Sequence, residues 1–338
     1  MKTMQYDIGL TFGIDAAVGQ FITGYEPGSQ YVPSAEENYR FDKSVLRDLM
    51  VWWNMNLSGN NKDGMYLFGP TGAGKSAALV NFCALLNIPM YEKTIYEGME
   101  FDVLMGRTEI VGGDTVFMYG VVPLAMGAEN EPGILVLNEI DRADDAVLTG
   151  LYEVLAGRPL VLDAAGHHVV KPDNAFCFAA TGNTNMAGAS DDYSNANKQD
   201  LAFVDRFWKV SVGYPEKEVE MTILKSVVPD LSDELQEKMI DVANDIRSLH
   251  TEGENRIPLT MSTRTLLRWA NMTKAYHGFS SAIDVSPIAY AMDRALLNVA
   301  DRPTRAAIIE VAELHIGDAW ASETTKATWT NGGNPLND

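Results

Sequence analysis

One eight-residue stretch constrains this chain more than any other, because it fits the pattern G-x-x-x-x-G-K-S at every position. The stretch is Gly69-Pro70-Thr71-Gly72-Ala73-Gly74-Lys75-Ser76. The apolar run Met65–Phe68 precedes it and predicts a buried strand, and Ala77–Leu86 follows it with the pattern of a helix. A strand, a glycine-rich loop and a helix in this order are typical of a phosphate-binding site, where backbone N–H groups and the helix N-terminus face the anion.

The last two residues of the stretch have predicted roles toward a nucleoside triphosphate. We expect Lys75 to reach the β- and γ-phosphates and the Ser76 hydroxyl to contact Mg²⁺. The alternative is a glycine-rich turn that binds nothing. For that alternative to hold, the glycines, the lysine and the serine would have to occur between a strand pattern and a helix pattern by chance. The pattern therefore predicts a nucleotide site.

Composition narrows the remaining possibilities. At 338 residues, 46% of them hydrophobic, the chain is long enough for two packed units. A net charge of −20 argues against a broad nucleic-acid surface, because neutralising phosphates needs clustered Lys and Arg. No stretch approaches the ~20 apolar residues of a membrane span, and no signal-peptide core follows Met1, so we expect a cytoplasmic protein. The two cysteines, Cys83 and Cys177, are predicted to be small buried apolar residues.

Changes of pattern along the chain predict four segments. Residues 1–54 form a lead-in, loosely structured at its start, that ends in an amphipathic helix beginning near Tyr39 and packed on the core. Residues 55–214 alternate predicted strands with helices, which is typical of an α/β domain with a parallel sheet. Residues 215–322 have only helical patterns and predict a separate lid domain. The polar segment 323–338 predicts a flexible tail.

The strongest buried-strand pattern, Ile134–Leu137, is expected to lie beside the strand that precedes the glycine loop. It would then deliver Asn138 and Glu139 to the carboxyl edge of the sheet, where nucleotides bind. Glu139 suits the activation of water, and a carboxylate that caps the next helix is the alternative. Asn138 sits where a metal-binding Asp is expected. Its amide oxygen can still hold a metal-bound water, but it brings no charge.

Three further polar residues are candidates for the chemistry of triphosphate hydrolysis. Asn183 follows the apolar pattern Phe176–Thr181 and could hold the attacking water, or it could be a simple turn residue. Arg206 could act as an arginine finger on a neighbouring subunit's nucleotide, or it could form a surface salt bridge with Asp205. Arg264 opens a helix of the lid and could swing onto the γ-phosphate, or it could be an exposed helix arginine.

Four segments beyond the glycine loop resemble, in order and spacing, those of the MoxR-type AAA+ ATPases. Within these proteins they look most like the AAA+ subunit of cobaltochelatase. The segments are Gly133–Ala143, Phe178–Asn185, Asp205–Phe207 and Met261–Thr265. The resemblance covers roughly residues 11 to 300. It implies an α/β P-loop AAA+ fold, in which a parallel-sheet sandwich is followed by an all-helical lid domain.

The resemblance also implies roles, ligands and partners. The implied roles are Walker B glutamate for Glu139, sensor 1 for Asn183, arginine finger for Arg206 and sensor 2 for Arg264. The hairpins predicted over 106–120 and 160–171 would be inserts that face the central pore of a ring. ATP with Mg²⁺ would bind at the interfaces of a homo-oligomer, expected to be a hexamer. This oligomer would act on a protein client together with a von Willebrand factor A domain protein.

Asn138 departs from the family, which usually has Asp at this position, and it leaves two functions open. The first is an ATP-driven remodelling motor that opens or matures a client or loads a metal. The second is a nucleotide-gated assembly module that binds ATP and hydrolyses it hardly at all. A third, a nucleic-acid-remodelling relative, is disfavoured by the acidic balance of the chain.

Overall fold

The protein is described from a computed structural model, and the described residues are 1–60, 62–189, 193–251, 256–277 and 286–320. The predicted flexible tail, 323–338, lies outside these residues. The chain divides into two compact units. The first comprises residues 1–70 and 74–213, and the second comprises residues 71–73 and those from 214 onward. No helix within the described ranges is both long and apolar enough to cross a membrane.

The first unit alternates strands with helices. Over its described residues the strands are β1 (Thr3–Asp7), β2 (Phe21–Tyr25), β3 (Gly64–Phe68), β4 (Met90–Thr94), β5 (Gly106–Val111), β6 (Asp114–Tyr119), β7 (Ile134–Asn138), β8 (Leu160–Leu162), β9 (His168–Val170), β10 (Cys177–Gly182) and β11 (Phe207–Ser211). The helices are α1 (Ile8–Phe12), α2 (Lys43–Leu57), α3 (Lys75–Leu85), α4 (Asp102–Met105), α5 (Val121–Met126), α6 (Asp145–Leu155) and α7 (Leu201–Val204).

A parallel sheet forms the centre of the first unit and confirms the predicted α/β class. Over the described residues it has five strands in the order β11-β3-β10-β7-β4. The predicted neighbour of β3 was wrong, because β10 lies between β3 and β7. Every residue of β7 and of β10 is buried, so both have the unbroken apolar pattern of a central strand. The sequence pattern therefore does not decide which of the two strands lies beside β3.

The N-terminal segment is more regular than the loose lead-in that we expected. β1 and β2 form an antiparallel hairpin. The indole Nε1 of Trp53, a fully buried residue of α2, donates a 2.7 Å hydrogen bond to the carbonyl oxygen of Thr23 in this hairpin. Helix α2 begins at Lys43 rather than near Tyr39, because the Asp42 carboxylate accepts hydrogen bonds from the backbone of the first turn.

Two antiparallel hairpins, β5–β6 and β8–β9, lie where the sequence predicts them. The first turns through Gly112 and Gly113, both of which have a positive φ. Its strands leave Ile110 79% exposed and Met118 46% exposed, and Val161 of the second hairpin is 52% exposed. Each hairpin therefore presents apolar side chains to solvent rather than to the core.

The second unit is all helical over its described residues, as the patterns predict. Its helices are α8 (Lys217–Val227), α9 (Asp233–Thr251), α10 (Thr263–His277), α11 (Pro287–Ala295) and α12 (Arg302–Ile316). Buried apolar side chains from all five of these helices form its core, with Trp269 fully buried. Helix α8 is not among the predicted helices.

A buried ion pair joins α8 to α9 within the second unit. The Arg247 guanidinium donates hydrogen bonds to both carboxylate oxygens of Glu220, at 2.9 and 2.7 Å. The two side chains are 9% and 1% exposed. Arg247 Nε also donates to the carbonyl oxygen of Met261, and the Thr263 hydroxyl donates to Glu220, each at 2.7 Å. The pair therefore holds the chain at the start of α10.

Candidate nucleotide site

The glycine loop leaves β3 in a conformation that requires glycine. Gly69 has a φ of +147°, and a Cβ at this position would lie 2.1 Å from the carbonyl oxygen of Val212. Gly74 has a φ of +91° and directly precedes α3, whose first residue is Lys75. Gly69 and Gly74, which have no side chain, thus allow the backbone to turn from strand to helix. The N-terminus of α3, with its partial positive charge, adjoins the loop.

Lys75 is buried against the loop and connects it to another strand end. Its ammonium donates hydrogen bonds to the carbonyl oxygens of Gly69 and Pro70, each at 2.9 Å, and to Asn183 Oδ1 at 3.0 Å. Asn183 directly follows β10. These three acceptors carry no formal charge, so they do not neutralise the Lys75 ammonium. The hydrogen bond to Asn183 brings two of the predicted site residues together.

Ser76 and Asn138 also meet, through a short network of hydrogen bonds. The Ser76 hydroxyl donates to Asn138 Oδ1 at 2.7 Å, and the Thr181 hydroxyl donates to the same oxygen at 2.8 Å. On the other side, Asn138 Nδ2 donates to the carboxylate of Glu92 on β4. The sequence does not single out Thr181 or Glu92. For Glu92 the available signal is a carboxylate within residues 88–94, whose pattern predicts a strand.

Glu139 stands at the exit of β7 in a strained conformation. Its φ and ψ are +55° and +40°, in the left-handed region that few non-glycine residues adopt. The side chain makes no capping hydrogen bond, so the alternative role as a helix cap is not supported. Its carboxylate is 37% exposed and forms a 3.0 Å ion pair with Arg142. Strained residues of this kind cluster at functional sites.

Asp141 fixes the backbone that carries Asn183, and sequence analysis gave it no role. Its Oδ2 accepts hydrogen bonds from the backbone N–H groups of Asn183 and Thr184, at 2.8 and 3.1 Å. The Tyr66 hydroxyl donates to the carbonyl oxygen of Thr184 at 2.5 Å. Burial, together with the Asp141 carboxylate, raises the pKa of the Tyr66 phenol, which therefore stays a neutral donor. A second acid two residues beyond Glu139 was the signal for Asp141.

Arg206 lies at the opposite edge of the sheet from the glycine loop. Its carbonyl oxygen accepts a hydrogen bond from the N–H of Gly64, the first residue of β3. The five residues of β3 separate this edge from the loop by about 16 Å. Among the described residues no ion pair joins Arg206 to Asp205. Instead its guanidinium carbon lies 5.2 Å from the ring centre of Tyr152 on α6.

Four candidates belong to the second unit, and their nucleotide contacts stay predictions. They are Thr71, Gly72 and Ala73 of the loop, and Arg264. Gly72 has a φ of +71°, which continues the glycine-dependent path of the loop. Arg264 is exposed on the first turn of α10, just after the segment that the Glu220–Arg247 ion pair holds.

The donor set beside the loop fits Mg²⁺ with a nucleoside triphosphate. The Ser76 hydroxyl, the Asn138 amide oxygen and the Glu92 carboxylate are the hard oxygen donors that Mg²⁺ prefers. Over the described residues no group of three or more His, Cys, Asp or Glu side chains could hold a metal alone. Mg²⁺ commonly binds through one or two carboxylates together with substrate phosphates. Lys75 and the N-terminus of α3 supply the positive charge that phosphates require.

Comparison with known proteins gives two family matches and a set of relatives. Residues 64–207 match the AAA domain (dynein-related subfamily), and residues 220–315 match the CbbQ/NirQ/NorQ C-terminal domain. Protein NorQ of Paracoccus denitrificans is 26% identical over 282 residues, which cover 82% of this chain and 93% of NorQ. An uncharacterized protein of Staphylococcus haemolyticus is 25% identical over 280 residues, which cover 81% of this chain and 96% of that protein.

Proposed function

Because the chain belongs to the MoxR-type AAA+ ATPases, we propose that it binds ATP with Mg²⁺ at Gly69–Ser76 and hydrolyses the ATP to remodel a protein client. One observation carries this proposal. Lys75 and Ser76, from the loop, contact Asn183 and Asn138, which come from the exits of two other strands. The glycine loop, the Asn183 amide and the Asn138 amide thus converge at the carboxyl ends of the strands. Triphosphate hydrolysis requires such a convergence of groups that bind phosphate, water and metal.

Each group in this convergence has a proposed part in the reaction. Lys75 and the N-terminus of α3 bind the phosphates, and Ser76 and Asn138 are neutral oxygen donors on the metal side. Mg²⁺, when bound, would neutralise charge on the phosphate oxygens. Glu139, exposed at the strand exit, orients water and accepts its proton. Asn183 is held by Lys75 through Oδ1, which leaves its amide nitrogen to position that water.

The position of Arg206 supports a site shared between subunits. It lies about one strand length, about 16 Å, from its own glycine loop, so it is placed to serve a different nucleotide. An arginine finger supplied by a neighbour is worth about 10³–10⁵ in rate where such fingers operate. We therefore propose a homo-oligomer, a hexameric ring, with ATP at each interface. Arg264 is proposed as a further contact to the γ-phosphate.

The client side of the proposal rests on the two hairpins. Ile110 and Met118 on β5–β6, and Val161 on β8–β9, are exposed apolar residues that could bind an unfolded or extended segment. We propose that they face the ring's pore and that the ring acts as a chaperone with a von Willebrand factor A domain protein. Metal insertion is one client process of this kind, and the resemblance to the AAA+ subunit of cobaltochelatase favours it.

ATP turnover at several protein concentrations tests the proposal. We expect Mg²⁺-dependent hydrolysis whose rate per subunit rises with concentration, because Arg206 acts across an interface. Arg206→Ala should lower turnover at all concentrations while ATP binding persists, and Glu139→Gln should abolish hydrolysis. Unchanged turnover in Arg206→Ala would exclude the shared site.

A second candidate function follows from Asn138, the neutral residue on the metal side. In it the protein is a nucleotide-gated assembly module that binds ATP and hydrolyses it hardly at all. A native rate no higher than that of Glu139→Gln would favour this function over the motor. Its main activity would then be ATP-dependent assembly, which light scattering measures.

A further inference from the structure

The residue that hydrogen-bonds the Asn138 amide is a carboxylate on the neighbouring strand. Asn138 Nδ2 donates to Glu92 Oε1, while Asn138 Oδ1 accepts from the hydroxyls of Ser76 and Thr181. Because a carboxylate can only accept hydrogen bonds, the amide nitrogen has to face Glu92 and the amide oxygen has to face the two hydroxyls. Asparagine therefore fits both sides of this position.

Aspartate at position 138 would meet Glu92 differently. It would place two carboxylates against each other on adjacent strands, and neighbouring like charges disfavour ionisation of both. Glu92 itself is exposed to solvent and forms no ion pair among the described residues. Through Asn138, Ser76 is thus linked to an acidic group, as a Walker B Asp would provide directly, but that group stands on β4 rather than on β7 and contacts the opposite side of the Asn138 amide.

We propose that Glu92 supplies the acidic charge of the magnesium site, with Asn138 as the neutral relay between Glu92 and Ser76. This inference rests on the proposed function, since it concerns the metal that accompanies ATP. It explains why the chain can lack an acid at position 138 and still bind Mg²⁺. It also favours the motor over the slow assembly module, because the charge has been moved rather than lost.

The test exchanges the charge between the two positions. Mn²⁺ serves as the probe in place of Mg²⁺ and is titrated into the full chain in the presence of a non-hydrolysable ATP analogue. Electron paramagnetic resonance measures the free Mn²⁺. We expect Glu92→Gln to weaken Mn²⁺ binding about 10- to 100-fold, the usual effect of losing a group that supports a metal site. Adding Asn138→Asp to Glu92→Gln should recover most of that roughly 10- to 100-fold loss of Mn²⁺ affinity.

Glu97→Gln is the matched control, because Glu97 is an exposed carboxylate shortly after β4 whose side chain forms no hydrogen bond or ion pair with any other described residue. It should bind Mn²⁺ as the native chain does. If Glu92→Gln does not fold, as judged by circular dichroism, Glu92→Thr removes the charge with a residue that suits a strand.

Native Mn²⁺ affinity in Glu92→Gln would overturn the inference. So would a loss that Asn138→Asp does not repair, because the charge would then not be what Glu92 contributes. Failure of the proposed function looks different. In that case the native chain would bind the Mn²⁺–nucleotide complex and yet show no ATP turnover, and the Mn²⁺ titration would still decide the role of Glu92.

Discussion

The left-handed backbone of Glu139 predicts an unusual order of stability among its variants. At most positions alanine is more stable than glycine, because glycine gains more conformational freedom on unfolding, worth about 0.5–1 kcal/mol. At a φ of +55° and a ψ of +40° the order should reverse. Alanine there is destabilised by about 1–2 kcal/mol, because its Cβ lies too close to the backbone, whereas glycine has no Cβ and no such strain.

The difference between these two terms gives the expected magnitude. Glu139→Gly should be more stable than Glu139→Ala by about 1 kcal/mol, or about 2–4 °C in Tm for a unit of this size. Both variants lose the same carboxylate and the same ion pair to Arg142, so these losses cancel in the comparison. Both should also lack ATP hydrolysis, because neither retains the carboxylate.

Urea unfolding of the two variants measures this difference directly. Glu153 is the matched control, since it is an exposed glutamate on α6 with an arginine partner of its own, Arg158, at 3.1 Å. There the order should be normal, with Glu153→Ala more stable than Glu153→Gly by about 0.5–1 kcal/mol. If alanine is also the more stable residue at position 139, its backbone is not left-handed and the strand exit described above is wrong.

Three further predictions concern other parts of the chain. Glu220→Ala should lower the free energy of unfolding by about 3–5 kcal/mol in urea titrations, because it leaves the buried Arg247 charge without a partner. Tyr152→Leu should reduce ATP turnover about 2- to 30-fold, because it removes a cation–π contact to Arg206 of about 0.5–2 kcal/mol. Tyr152→Phe keeps the aromatic ring and should retain most of the turnover. Neither variant should change ATP affinity. Burial raises the pKa of the Cys177 thiol to about 12, so iodoacetamide at pH 8 should label it only after unfolding, and stability should fall as the pH rises above about 9, where only the unfolded thiol ionises.

Local patterns predicted the glycine loop, the α/β class and the helical region because each depends on residues close together in the chain. The loop needs glycine at Gly69 and Gly74 for its own backbone angles, and these are visible in the sequence. The two hairpins could be predicted for the same reason, since short strands and glycine turns are neighbours in sequence.

Sheet order and side-chain partners could not be predicted, because they depend on residues far apart in the chain. Glu92 and Asn138 are 46 residues apart and meet only because β4 and β7 are adjacent in the sheet. Arg206 has an acid, Asp205, as its sequence neighbour, and yet it stacks on Tyr152 from another element. Likewise β7 and β10 have equally apolar patterns, and only their packing decides which of them lies beside β3.

Mixing two inactive variants tests most directly whether the ATPase site is shared between subunits. Arg206→Ala retains Lys75 and Glu139, and Glu139→Gln retains Arg206. If the site is shared, each variant alone is inactive, and random assembly of an equal mixture completes about a quarter of the interfaces of a head-to-tail ring. We predict that ATP turnover in the mixture rises well above the sum of the two separate rates. Turnover equal to that sum, in rings shown by native mass spectrometry to contain both variants, would contradict the shared site.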